Sequence, residues 1–191
     1  MKKYIAALSL SILALAACGG SGNDTPPLSR YAGDYASCDG DHVRQFIGIS
    51  QPVGNILTIK LHERVYQYAE CSGAVVGYFN YSSPVTFSYS QTKDAVVYGY
   101  PTWNKWNTAL VDAGTSSIST STVSVTGSGA KMIDGKACAV VGSKTFCRES
   151  TIPANTDSAG IILFNGILYS ATLKFGTGGP YYNVDSIDVK Q

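Results

Sequence analysis

From residue 30 onward the apolar residues recur at every second position, in short runs broken by tight-turn dipeptides. A period of two belongs to a strand, because successive strand side chains point to opposite faces. Runs at 31–37, 43–50, 56–68, 73–81, 85–90, 95–100, 118–127, 161–164, 167–175 and 184–190 fit that pattern. Leu57, Ile59 and Leu61 share one face of the third run. Pro52-Val53-Gly54-Asn55 reads as the turn before it, and Asp134-Gly135 and Asn165-Gly166 are strong hairpin turns. No stretch after residue 18 combines a helical period with caps. Residues 101–114 are the least regular and read as a loop or a short helix. The expected fold is all-β: an antiparallel barrel or sandwich of about nine to eleven strands, after an N-terminal signal helix. The barrel is preferred because a long meander must close its edges.

The chain has five cysteines: Cys18, Cys38, Cys71, Cys138 and Cys147. Gly142-Ser143 suits a two-residue type II′ turn, with glycine first. Folding about that turn sets Cys138 opposite Cys147 at a non-hydrogen-bonded pair, where side chains approach most closely. Cys38 and Cys71 are left to each other only if Cys18 is otherwise engaged. With no Cys-x-x-Cys and no clustered histidine, a redox or metal role for these four is not expected.

Cys18 has a different expected fate. The chain opens Met1-Lys2-Lys3, continues apolar through Ala14 apart from Ser9 and Ser11, and reaches Leu15-Ala16-Ala17-Cys18. The segment is short for a membrane span and has the charge and small-residue marks of a cleavable signal. Leu15-Ala16-Ala17-Cys18 resembles the lipobox of bacterial lipoproteins. That resemblance implies cleavage before Cys18, lipidation of its thiol and a membrane anchor of two or three acyl chains, too strong for ready release. It also removes one cysteine and leaves an even number in an oxidising compartment. Gly19, rather than Asp, follows the Cys, which favours the outer membrane. Domain organisation follows: signal peptide 1–17, lipidated Cys and tether 18–29, and one β-domain 30–191. The tether is rich in Gly, Ser and Pro and reaches up to roughly 35 Å.

Fourteen basic side chains include Lys2 and Lys3 of the signal segment, leaving twelve against thirteen acidic ones, a net of −1. No long charge run or basic patch is visible in the sequence, which argues against nucleic acid as a partner. Charged residues make up only 14% of the chain, well below the usual quarter, and Ser, Thr, Asn, Gly and Tyr replace them.

Candidate chemistry is sparse. Asp39-Gly40-Asp41-His42 and His62-Glu63 are the places where histidine and carboxylates meet. Neither has the ligand number of a calcium or zinc site, so polar turns and strand histidines explain them and no metal or cofactor is expected. No Gly-x-Ser-x-Gly occurs, and Glu63, Glu70 and Glu149 lack a context for glycoside chemistry. The expectation is a non-enzyme. The strongest signal is aromatic: Tyr98, Tyr100, Trp103 and Trp106 lie within nine residues, beside Asn104 and Asn107. Flat rings with nearby amides suit a sugar or a protein hot spot. The competing reading places Trp103 and Trp106 as a plug at one end of the barrel. Pro180-Tyr181-Tyr182-Asn183 is a smaller echo.

Two short resemblances remain. Tyr31-Ala32-Gly33-Asp34-Tyr35 is similar to the Gly-x-Trp opening strand of lipocalin-like barrels, with Tyr35 in place of Trp. Ser128-Gly129-Ala130-Lys131 looks like a segment of the lipoprotein inhibitors of lysozyme, with Met132 where their Tyr stands. The expected function is a membrane-anchored envelope lipoprotein with a non-catalytic β-domain that binds a protein or glycan partner. A barrel holding a small apolar or sugar ligand is the alternative, and an envelope enzyme inhibitor or enzyme comes third.

Overall fold

The computed structural model describes residues 27–191. The expected signal peptide 1–17, Cys18 and the part of the expected tether through residue 26 lie outside the described residues. The fold is all-β, with two disulfides. In chain order the first strands are β1 (Gly33–Cys38), β2 (Val43–Ile49), β3 (Ile56–Tyr68), β4 (Ser72–Tyr81), β5 (Val85–Tyr98), β6 (Trp106–Ile118) and β7 (Ser121–Thr126). The rest are β8 (Ala130–Ile133), β9 (Lys136–Val141), β10 (Lys144–Glu149), β11 (Thr151–Ile152), β12 (Asn155–Phe164), β13 (Ile167–Gly176) and β14 (Gly179–Lys190). Eleven form one large sheet, and β8, β9 and β10 form a second.

Within the large sheet, strands 1, 2, 3, 5, 6, 12, 13 and 14 pair in a ring, each antiparallel to the next and β14 returning to β1. This is a closed barrel, which removes its sheet edges. Strands β4, β7 and β11 extend as a wing from the far half of β3. The sheet closes a second time where β5 and β14 touch in parallel, Tyr182 opposite Val97 and Asn183 opposite Tyr98.

Two closures make two cores with a shared wall. Ile161 and Leu168 face a cluster containing Leu28, Tyr31, Tyr35, Ile47, Ile49, Leu57 and Phe87. Their neighbours Ile162 and Tyr169 face the opposite cluster, with Val97, Val111, Ala171, Tyr182 and Val184. Strands buried on both faces need apolar runs rather than alternation, which accounts for Ile161-Ile162-Leu163. A bulge at Ser90 in β5 and one at Asp185 in β14 each shift the alternation by one residue. That shift lets Phe87 face the first core and Val97 the second. A third cluster holds Val43, Val65, Phe79, Val123, Ala137 and Ala139 between the wing and the small sheet. Gly77 permits that seating, since a Cβ there would lie 2.6 Å from the Cβ of Ala139.

Several expectations need adjustment. The folded body starts before residue 30: Pro27–Tyr31 is a 3-10 turn whose Leu28 is fully buried. It plugs the barrel, and its apolar Leu and Tyr outweigh the tether-like composition around them. Runs 85–90 and 95–100 are one strand, β5, continuous through its bulge. Residues 101–114 are mostly strand, because Trp106 onward pairs along nearly all of β5. Long-range pairing supplies there what local alternation does not.

The turn chemistry holds as read. Asn165 and Gly166 have φ 51° and 77°, and Asp134 and Gly135 have φ 50° and 76°, the positive pair of a type I′ turn. Lys144 faces Val141 and Cys147 faces Cys138, with Cα atoms of the bridge 4.1 Å apart. Cys38–Cys71 joins the end of β1 to the turn before β4.

Candidate functional site

The aromatic group of β5 and β6 divides three ways. A glycine at 99, with φ 88°, turns the chain sharply after Tyr98. Tyr100 then points inward, edge-on to Tyr169 at 5.0 Å and to Phe164 at 6.1 Å. It is half-buried and packs against the second core. Tyr98 and Trp106 are opposite partners across the β5–β6 ladder, with ring centroids 4.8 Å apart. On its other side Trp106 meets Tyr181 edge-on at 4.9 Å. The Tyr98 hydroxyl donates to Asn104 Oδ1 at 3.1 Å. Asn107 is exposed, and its Oδ1 accepts from the Thr108 backbone N–H.

Trp106 is 58% exposed and Trp103 54% exposed, so neither is a plug; the plug is the Pro27–Tyr31 turn. A large apolar side chain left in water forgoes about 1.5–3 kcal/mol of burial. Beside Trp106 lies a concavity of about 350 Å³ formed by Val96 and the turn from Gly176 to Tyr181. Val96 and Leu110 are also exposed on this wall. Their side chains share the face of Trp106, because 106, 108 and 110 alternate with the buried Ala109 and Val111. Tyr181 comes from the segment read only as a smaller echo, and the parallel β5–β14 contact brings it into the cluster.

Trp103 lines a different groove of about 380 Å³, with Ser37, Asp39, Gln45, Glu63, Arg148 and Asp185. Gln45, Asp185 and Ser186 also line a pocket of about 250 Å³ inside the barrel, whose apolar side includes Ile47, Ile59, Leu61 and Phe87. The groove is thus the mouth of a partly open barrel. Glu63 is buried there and is held by Arg148 at 2.7 and 2.8 Å and by the Tyr81 hydroxyl at 3.1 Å. Burial, and then the Glu63 carboxylate, push the Tyr81 hydroxyl up to about 12. Arg148 reaches in from β10, a partner that sequence spacing does not reveal.

Asp39, Asp41 and His42 fold into a latch. Asp39 Oδ1 accepts from the backbone N–H groups of Asp41 and Val43. Asp41 Oδ1 lies 2.6 Å from Lys144 Nζ and binds the small sheet to the barrel. His42 Nδ1 lies 2.8 Å from the Tyr66 carbonyl oxygen. Cys38, Asp39 and Cys71 cluster closely, but both sulfurs are spent in the disulfide. His62 and Glu63 point to opposite faces, so they share no site.

The sequence shows no basic patch, yet the fold assembles one. Arg44, Lys60, His62 and Arg64 share the outer face of β2 and β3, with Arg44 directly opposite Arg64. Arg44 lies sixteen or more positions from the others along the chain, which hides the patch in one dimension. Comparison of the chain with protein-family models, curated proteins and solved structures finds no match.

Proposed function

We propose that the chain is a bacterial envelope lipoprotein, anchored through Cys18, whose β-domain is a non-catalytic binding module for a protein or glycan. One observation carries the binding reading: Trp106 stands more than half exposed between Tyr98 and Tyr181, next to a concavity. Centrally placed Trp and Tyr on a surface are the residues that dominate binding energy in interfaces. Two tyrosine rings hold the indole in place, which reduces the entropy lost on binding. The anchor rests on the Leu15-Ala16-Ala17-Cys18 motif, and the two disulfides fit an oxidising compartment.

The test is co-sedimentation of the protein with insoluble peptidoglycan, alongside crosslinking in intact envelopes. Trp106→Ala is expected to lose binding at least tenfold with an unchanged melting temperature. Unchanged binding to both, or a collapse of the fold, sinks this reading. Mass spectrometry of the mature chain tests the anchor, with a diacylglycerol on Cys18 the expected result.

A second reading rests on the barrel interior. The pocket behind the mouth combines Ile59, Leu61 and Phe87 with Gln45, Ser170 and Asp185, the mixed lining of a small-ligand site. The eight-stranded closure, with Gly33 and Tyr35 opening β1, supports the likeness to lipocalin-like barrels. Ile59→Trp would fill this pocket and abolish ligand uptake without touching Trp106.

A further inference from the structure

The outer face of β2 and β3 carries charge that the molecule does not neutralise. Arg44 and Arg64 are direct cross-strand partners, and like charges at such positions destabilise the pair. Lys60 and His62 lie on the same face of β3. The ion pairs among the described residues involve Arg30, His42, Lys136, Lys144 and Arg148, but not Arg44, Lys60 or Arg64. Asp34, across from Gly48, is the one carboxylate bordering this face on β1. The positive charge gathers here in a protein that is close to neutral overall.

The arginines are also held in place. The Phe46 ring stacks on His62 at 4.8 Å with parallel planes, and the Arg64 guanidinium sits 4.4 Å from the Phe46 centroid. Arg44 lies 5.9 Å from the Tyr66 centroid. Arg64 Nε is buried without a hydrogen-bond partner. Burial, and then the Arg64 charge, lower the pKa of His62 from its ordinary value, which favours the neutral, stacking ring at pH 7. Arg64 and Lys60 open into a cup of about 460 Å³ with Tyr78, Asn80 and Ser82 on its rim. A fixed planar guanidinium suits a two-point contact with a carboxylate. An exposed tyrosine face and an amide suit a sugar ring.

We propose that this cup binds an acidic saccharide, its carboxylate on Arg64 and Lys60 and its ring against Tyr78 and Asn80. Such a ligand would neutralise the Arg44–Arg64 repulsion, and its affinity falls with added salt. The site lies on a different wall from Tyr98, Trp106 and Tyr181, so it stands independently of the function proposed for them.

The experiment is calorimetric titration of the full chain with a tetragalacturonate, a neutral maltotetraose control, and a separate arm of phosphatidylglycerol vesicles. Saturable binding of tetragalacturonate alone is expected, weakened tenfold or more by Arg64→Gln and by Lys60→Gln. Lys60 is exposed, so its variant keeps the test valid if Arg64→Gln disturbs Phe46. Lys131→Gln, at an exposed position of β8 on the small sheet, is expected to bind as the parent does. The proposal is overturned by absent binding, by equal binding of maltotetraose, by vesicle binding without saccharide binding, or by equal loss in Lys131→Gln.

Discussion

Asp112 shows how a single polar residue organises this barrel. It is fully buried on β6, where a lone carboxylate would be costly. Three groups compensate: Arg30 at 2.5 Å, the Tyr31 hydroxyl at 2.8 Å and the Thr92 hydroxyl at 2.6 Å. Two of the three belong to the 3-10 turn, so Asp112 locks the plug into the barrel. Asp112→Ala is expected to cost about 3 kcal/mol, near the lower bound for a broken buried pair because Arg30 remains partly solvated. Tyr31→Phe, which removes one hydroxyl, is expected to cost about 1 kcal/mol. Urea unfolding of the two variants measures the difference, and equal losses would show that the plug does not depend on the carboxylate. Gly160 makes the complementary case for packing. A Cβ there would lie 2.5 Å from Val111 Cγ1 and 2.8 Å from Tyr182 Cε1. Gly160→Ala is expected to destabilise the shared wall by about 1–3 kcal/mol, read from the same unfolding curves.

Among the elements, the two disulfides have different work. Cys138–Cys147 staples a hairpin already directed by its turn and spans nine residues. Cys38–Cys71 spans thirty-three and ties β1 to the turn between β3 and β4. Loop closure predicts losses of about 2–3 kcal/mol for the first and about 3–4 kcal/mol for the second when each is replaced by a serine pair. Thermal melts of the two double variants are expected in that order, and the reverse order would mean that the hairpin staple also seats the small sheet. That seating has its own contacts, namely Lys144 with Asp41, Arg148 with Glu63, and Ala139 against Gly77. The bulges at Ser90 and Asp185 act at the same scale, because each passes a strand from one core to the other.

For the molecule as a whole, tyrosine ionisation sets the alkaline limit. Tyr81 is raised to about 12, and Tyr31 is raised further by burial and by the neighbouring Asp112 carboxylate. Their unfolded counterparts ionise near 10. A folded pKa above the unfolded one means that the unfolded chain loses its protons first. Stability is therefore complete below about pH 10 and falls as pH rises toward 12 and beyond. Circular dichroism across pH 8–12 is expected to show unfolding only above about pH 10, with Tyr81→Phe shifting the midpoint upward. The same scale explains what was legible beforehand. Strand runs and turns were readable because they depend on neighbours in sequence, and so was the Cys138–Cys147 bridge. The strand from Trp106 was not, because pairing with β5 stabilises it. The split of Tyr98, Tyr100, Trp103 and Trp106 into three surroundings was hidden for a related reason. A sharp turn at Gly99 and a parallel contact with β14 decide where each ring points.

The all-β class, the tightest hairpin turns and the Cys138–Cys147 bridge depend on neighbouring residues at a period of two, so the residues alone establish them, whereas Cys38–Cys71, thirty-three residues apart, follows only by elimination. That the sheet closes twice, that β12 and β13 are buried on both faces and that Arg44 stands against Arg64 are consequences of the assembled fold. A strand's hydrogen bonds leave its own segment. Alternation says that two faces exist, and only the strand laid alongside determines what each face meets.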